Sequence, residues 1–363
     1  VQYLSKILLF PLSLIYGLVV AIRNYLFDNN LLISQEFRIP VISIGNITVG
    51  GTGKTPHVEY LVELLSKHYR IAVLSRGYKR STKGLIIADK GATSDQIGDE
   101  PSQMKLKFPG LLVIVDSNRR RGIRRIMDQF PEIDVVILDD AYQHRWVSPG
   151  LSILLTDYTR LFSRDHLLPL GRLREHKYNR RRADIIIVSK VPPEVSPIER
   201  RLVAREIPPL SHQNLYFSSI VYLDPRNIHA DEAADITMAD INTMDSNILL
   251  LTGIANPLPL RRYIENYSSN ITQMVFKDHH SFTTEDLKKI RKVYNTLPSD
   301  NRIILTTEKD CIRLREMSQL REIFDDNFYY LPISTEIQNN DTEEFNNTII
   351  DYVRKNRANS QVS

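Results

Sequence analysis

The feature that most constrains this chain is a loop of glycines, threonines and a lysine set between a strand-like run and a helix-like one. The apolar stretch IPVISI (39–44) leads into Gly45-Asn46-Ile47-Thr48-Val49-Gly50-Gly51-Thr52-Gly53-Lys54-Thr55, and residues 56–67 have helical character. The loop matches the phosphate-binding pattern G-x-x-x-x-G-K-[ST], with Thr48 where the strict pattern has its first glycine. In such a loop the backbone N–H groups turn inward on phosphate oxygens. The lysine reaches the β- and γ-phosphates, and the threonine hydroxyl faces Mg²⁺. The sequence therefore predicts that Thr48, Val49, Gly50, Gly51, Thr52, Gly53, Lys54 and Thr55 hold a nucleotide, ATP, with Thr55 also on the metal. A chance glycine turn ahead of a helix is the plain alternative. The strand before and helix after argue against it.

Apolar, β-branched runs recur at 39–44, 71–75, 111–115, 134–139, 152–156 and 184–189, separated by helical stretches. Continuous apolar runs mark strands buried on both faces, so the fold class is α/β, a mainly parallel sheet with helices on both sides. Pro-rich text around 192–214 breaks the rhythm, which resumes more widely at 219–223, 248–252 and 302–306. We read a membrane-associated helix over 1–28, a P-loop domain over 29–215, and a smaller α/β domain with linker strands over 216–363. With 42% hydrophobic and 25% charged residues, collagen, coiled-coil rods, disordered tails and polytopic membrane proteins are excluded. The single cysteine, Cys311, can form neither an internal disulfide nor a cysteine-based zinc site.

The N-terminal segment stands apart. Between Lys6 and Arg23 the sixteen residues ILLFPLSLIYGLVVAI carry no charge. That is short of the ~20 apolar residues of an ordinary spanning helix, and longer than most core or interfacial runs. No Ala-x-Ala type cleavage site follows, which disfavours a secretory signal. A buried first helix is the plainer alternative. The expectation is a monotopic or short anchoring helix with Lys6 and Arg23 at a lipid headgroup surface. The sequence leaves open whether it spans or lies on the bilayer.

A P-loop needs a metal-side carboxylate on a neighbouring strand. DVVILDDAYQH (134–144) supplies Asp139 and Asp140 at a strand's carboxyl end, where α/β sheets bind ligands. Capping of a following helix is the competing role. The run 184–189 leads into Ser189-Lys190-Val191-Pro192, which lacks the aspartate of a guanine-reading motif. A kinase-like P-loop enzyme remains, with a nucleotide-hydrolysing switch on a protein partner as the alternative. Phosphorylating a hydroxyl calls for a carboxylate to orient it. Among Asp99, Glu100, Asp278, Glu308 and Asp310 we select Asp99, fixed between Gly98 and Pro101, with Glu100 as a second metal-side group. Five arginines fall within 119–125 and six Lys/Arg within 172–182. Of these, Arg119 and Arg174 are expected on phosphates, since the guanidinium fork gives paired, charge-assisted bonds. No interleaved aromatics or groove-reading motif accompany them, so no nucleic acid is expected.

Several segments together resemble a known family. GNITVGGTGKTP (45–56), SRGYKR (75–80), GDEP (98–101), DDAYQH (139–144), LLPLGRLRE (167–175), TGIANP (252–257), DHHSFT (278–283) and TTEKD (306–310) follow the order of the tetraacyldisaccharide 4′-kinases. Ala141 and Arg172 depart from that pattern, where the family usually has Gly and often Pro. The resemblance implies ATP- and Mg²⁺-dependent phosphorylation of the 4′-hydroxyl of an acylated disaccharide 1-phosphate lipid, giving lipid IVA. It implies work at a membrane surface, the cytoplasmic face of the bacterial inner membrane, and no protein partner is expected. It also implies Asp99 as base, paired with a histidine of DHHSFT, taken as His279 rather than His280. The pair lies 180 positions apart (279 − 99) on different expected domains, so its meeting would require the domains to close.

Overall fold

The computed structural model describes residues 2–89, 91–229, 235–324 and 327–362, with backbone alone at 2–8 and 358–362. The Lys6 side chain, expected at a headgroup surface, lies outside the described residues. The strands are β1 (Val41–Asn46), β2 (Ile71–Ser75), β3 (Ile86–Ile87), β4 (Leu112–Val115), β5 (Val135–Asp139), β6 (Leu151–Asp157) and β7 (Ile185–Ser189). They continue with β8 (Asn214–Tyr222), β9 (Arg226–Asn227), β10 (Asn247–Thr252), β11 (Ile271–Val275), β12 (Arg302–Thr307), β13 (Phe328–Leu331) and β14 (Ile333–Ile337).

Nine strands pair in the order β14-β8-β7-β6-β1-β5-β2-β4-β3. The inner seven, from β8 to β4, are parallel, and β14 and β3 close the edges antiparallel. Every residue of β1, β2, β5, β6 and β7 is buried, the physical reason these strands read as unbroken apolar runs. Helices cover both faces. Ile42 and Ile44 pack with Val58, Leu61 and Leu65 of α2 (Lys54–Ser66), while Val41 faces the cluster holding Ile123 and Ile126 of the helix Arg119–Gln129.

A second sheet runs β11-β10-β12-β13-β9, parallel except for β9. Here the chain differs from the expected domain limits. The break placed between 215 and 216 falls inside β8, and β14 returns to pair with β8. The helix Thr342–Val362 then buries Phe345, Ile349 and Val353 in the core under β1. Tyr352 Oη closes the return, accepting from Val41 N at 3.1 Å and donating to Val41 O at 3.0 Å. The apolar spacing of this helix could not announce which sheet it covers.

Helix α1 (Gln2–Asp28) turns its apolar side outward. Leu12, Leu14, Ile15, Leu18, Val19 and Ile22 are all more than half exposed. Its small and polar residues face the protein instead. Ser13 donates to Leu167 O, Tyr16 to Arg174 O, Arg23 to Gln143 O, and Asn24 to Glu175. The stretch Leu9–Asp28 has a mean hydropathy of 1.5 and is long and apolar enough to cross a membrane.

Candidate active site

The phosphate loop is clamped from two sides. On one, Val49 N donates to Arg172 O and Arg174 N to Ile47 O, both at 2.8 Å. On the other, Ser189 Oγ donates to Thr52 O at 2.8 Å, and the Lys190 ammonium joins Gly51 O to Asp157. Asn46 Nδ2 donates to Thr52 Oγ1 at 2.8 Å, so Thr48 and Thr52 lie buried in the floor while Gly51 and Val49 face out. Gly53, at φ 79°, turns the chain into α2, a left-handed conformation that strains any residue with a Cβ. His57, one turn on, has Nδ1 2.7 Å from Gly53 O and Nε2 2.9 Å from Ser218 Oγ. Burial drives its pKa down to about 4, so the ring is neutral, donates to the carbonyl and accepts from the serine. Sequence reasoning passed over His57. Its spacing of four from Gly53 was the available signal.

The aspartates at the end of β5 differ in their surroundings. Asp140, in a left-handed conformation (φ 44°), lies 3.6 Å from Lys54 Nζ and 3.3 Å from the Arg174 guanidinium. Burial pushes its carboxyl up, but Lys54 and Arg174 outweigh that and hold it below the ordinary value. Asp139 is buried and accepts from Ser75 Oγ at 3.0 Å. Burial first, then the charges of Asp140 and Glu100, push its carboxyl up to about 6 against Lys54 and Ser75. Thr55 sits at the second position of α2. Crowded carboxylates with a hydroxyl form a hard-oxygen set suited to Mg²⁺. Among the described residues no three His, Cys, Asp or Glu side chains form a ready-made metal cage. That accords with an ion held by one or two carboxylates plus phosphate oxygens.

Asp99 opens the helix Asp99–Lys107 after Gly98, whose φ of 94° and close approach to Tyr78 O would strain any side chain there. Its Oδ2 lies 2.7 Å from His279 Nδ1. Arg313 grips both carboxylate oxygens, Nε donating to Oδ1 at 3.1 Å and a terminal nitrogen to Oδ2. Burial pushes Asp99 up, yet the bonds from His279 and Arg313 prevail and hold it well below the usual carboxylate range. The ring of Tyr78 stands edge-on to His279 at 6.2 Å. His280 bonds Asp286 at 2.9 Å instead. Asp99 and His279, expected on different domains and to meet when those domains close, are in contact in this structure. Of the other carboxylates considered, Glu308 and Asp310 are buried. Asp310 accepts from Gly253 N at 2.8 Å and from Thr307 Oγ1 at 2.7 Å.

Arg119 also departs from its expected place on a phosphate. It is 2% exposed, and its guanidinium donates to Asp116 O at 3.0 Å and Asp139 O at 3.1 Å. As the first residue of its helix it points inward under β5 and braces the strand that carries Asp139. Arg174 remains half-buried beside Asp140 and Gln143. In the same cluster Arg121 pairs with Asp116 at 2.7 Å, and Arg120 lies over the Trp146 ring at 4.8 Å.

A P-loop leaving the first strand of a parallel sheet, with aspartates ending the adjacent strand, defines the class as a P-loop nucleotide-binding phosphotransferase. The chain belongs to the family described as tetraacyldisaccharide-1-P 4′-kinase (LpxK), whose model matches residues 5–354. It is 46% identical over 361 residues to the tetraacyldisaccharide 4′-kinase of Bacteroides thetaiotaomicron, covering 98% of this chain and 95% of that protein. The corresponding protein of Flavobacterium johnsoniae is 41% identical over 353 residues, covering 97% of this chain and 98% of its own. A crystal structure of the "apo" form of LpxK from Aquifex aeolicus in complex with ATP is similar, with a TM-score of 0.75 at 27% identity. The match covers 96% of this chain and 99% of that one.

Proposed function

We propose that this protein transfers the γ-phosphoryl group of ATP to the 4′-hydroxyl of a tetraacyldisaccharide 1-phosphate, giving lipid IVA. The observation that carries the reading is Asp99 bonded to His279, one residue from the Glu100 whose charge reaches Asp139, in a chain of this family. Membership of this kinase family favours the reading over a nucleotide-hydrolysing switch, which could use the same carboxylate to orient water.

The triphosphate takes the N–H groups of the loop up to Thr55 and the start of α2, with Lys54 on the β- and γ-phosphates. One or two of the carboxylates Asp139, Asp140 and Glu100, together with Thr55, would hold Mg²⁺, whose charge offsets that of the phosphates. Arg174 offers its fork to a phosphate from beside Asp140. In the transfer, the bond from the 4′-oxygen to the γ-phosphorus forms as the bond from that phosphorus to the β,γ-bridging oxygen breaks. ADP leaves with the electron pair, and the hydroxyl proton passes to Asp99. Held ionised, Asp99 is a weak base but a ready acceptor. A loose phosphoryl transition state asks for orientation of the hydroxyl more than for early proton removal.

The outward apolar side of α1 supports a membrane surface as the place of work, on the cytoplasmic face where ATP is supplied. Its inward side bonds the Arg174 and Gln143 main chain, and both residues flank Asp140, so an acceptor held in the bilayer lies beside the site. The test is incubation of purified protein with γ-labelled ATP and a tetraacyldisaccharide 1-phosphate, followed by chromatography of the lipid. Label in the lipid is expected. Free phosphate alone would establish the switch.

A further inference from the structure

The segment TTEKD carries more of the site than its buried carboxylates suggest. Thr307 Oγ1 accepts from Asp310 N at 3.1 Å and caps the helix Glu308–Arg315, while Asp310 ties that helix to Gly253 N. Gly253 O in turn accepts from His279 N at 3.3 Å, so helix and histidine hang from one turn. Lys309 and Arg313, four residues apart, share a helix face. Arg313 reaches Asp99, and Lys309 Nζ lies 3.0 Å from His279 Nε2.

We propose that Lys309 is a positioning residue of the transfer site, its ammonium donating to His279 Nε2 and so confining the ring's single N–H to Nδ1, where it meets Asp99. The inference rests on the reading of Asp99 and His279 as the working pair. A neutral imidazole has one N–H and one lone pair; an ionised carboxylate only accepts and an ammonium only donates. With Asp99 facing Nδ1 and Lys309 facing Nε2, one assignment satisfies both contacts. A second proton on Nε2 would set N–H against the ammonium. Without Lys309, Nε2 faces water, which takes either role, and Asp278 Oδ1 at 4.0 Å, which only accepts, so the ring can place its proton there. Nδ1 would then aim a lone pair at the carboxylate, and the bond that orients Asp99 is lost. Arg313, whose terminal nitrogen lies 3.1 Å from Nδ1, would then donate to that lone pair as well as to Asp99, and would be the one residue of the three still bonded to the carboxylate. Lys309 also lies 3.7 Å from Asp278 Oδ1, but that carboxylate is 42% exposed, and such pairs contribute little.

The experiment combines steady-state kinetics at saturating ATP with ¹⁵N NMR of imidazole-labelled protein, on Lys309→Met, Lys309→Arg, Asp278→Asn and His279→Gln. His279→Gln assigns the ring signals. Wild type should show the neutral Nδ1–H pattern for His279, and Lys309→Met should lose it. The kcat of Lys309→Met should fall on the order of 10–100-fold while the ATP KM stays within about twofold. Lys309→Arg should restore the pattern and part of the rate, and Asp278→Asn should match wild type. A Lys309→Met protein that keeps both pattern and rate overturns the proposal. So does either change without the other, because tautomer and rate are claimed to be one effect. A wild-type rate for His279→Gln overturns the underlying pair as well. A low His279→Gln rate beside an unaffected Lys309→Met overturns this inference alone.

Discussion

Asp99 Oδ2 stands 2.7 Å from His279 Nδ1, although 180 positions and the divide between two sheets separate them. Asp99 follows β3 of the large sheet, and His279 follows β11 of the small one. If they act as one unit, their losses should not multiply. Asp99→Ala and His279→Ala are each expected to lower turnover by on the order of 10²–10⁴. The double variant at saturating ATP should be little worse than the worse single. Multiplying losses would show two independent roles.

Lys54 and Thr55 are proposed to act on a different part of the reaction. Lys54→Ala removes the charge that Asp140 now neutralises at 3.6 Å, and Thr55→Ala removes a hydroxyl from the metal side. Each should cost roughly 3–4 kcal/mol of transition-state stabilisation, about 10²–10³ in kcat/KM. Full turnover in both would mean that the nucleotide binds elsewhere.

Arg119 and Arg174 should separate by readout. Arg174→Lys leaves the fold intact but cannot reproduce a bidentate grip, so kcat/KM should fall about tenfold at an unchanged melting temperature. Arg119→Lys should lower stability by about 1–3 kcal/mol, because the carbonyls of Asp116 and Asp139 lose donors in a buried place. Thermal melts beside kinetics decide. A stable but slow Arg119→Lys would return that residue to a phosphate role.

What the sequence displayed and what it hid follow from the kind of signal each element carries. The strands around the P-loop were legible because burial on both faces leaves only apolar residues, and the runs 71–75 and 184–189 became β2 and β7 almost unchanged. β11 was missed because it lies at a sheet edge, half exposed along ITQMV, where no strong pattern forms. The return of β14 and the last helix was invisible for another reason, since nothing local says which sheet a strand will join. Lys54, Asp139 and Asp99 could be placed from their neighbours in sequence. Arg313 and Lys309 could not, because their importance comes only from the fold bringing them to Asp99 and His279.

The outward face of α1 can be tested without disturbing its inward bonds. Deleting residues 1–27 would also remove the contacts of Tyr16 with Arg174 and of Asn24 with Glu175. Leu14→Glu with Leu18→Glu touches only the exposed side. Burying each leucine in an apolar phase is favoured by roughly 1.5–3 kcal/mol, so the pair should lower vesicle binding by at least about tenfold in co-sedimentation. Unchanged sedimentation would assign the anchoring to another surface.

Stability should also fall with rising pH, at a point where α2, the helix Asp99–Lys107 and the helix Glu308–Arg315 meet. Glu59 and Glu308 are both buried, and Lys107 serves the two, 2.7 Å from Glu59 and 3.8 Å from Glu308. Burial first, then the charge of Glu308, push the Glu59 carboxyl up to about 7 against Lys107 and Gln103. A carboxyl raised in the fold takes up a proton on folding. Its contribution is therefore whole below the ordinary value of 4.5 and is lost as pH climbs through about 7. Glu59→Gln keeps the shape and removes the titration, leaving Glu308 as the carboxylate paired with Lys107. Its stability relative to wild type should rise between pH 5 and pH 8 by about 1–3 kcal/mol, since each tenfold change in proton affinity on folding is worth roughly 1.4 kcal/mol. Melting temperatures of the two proteins across that range measure it. A difference that stays flat with pH would show that Glu59 holds no proton in the fold. Lys107 would then face two full charges, and the contact between the P-loop helix and the helix bearing Lys309 and Arg313 would have to draw its stability from packing.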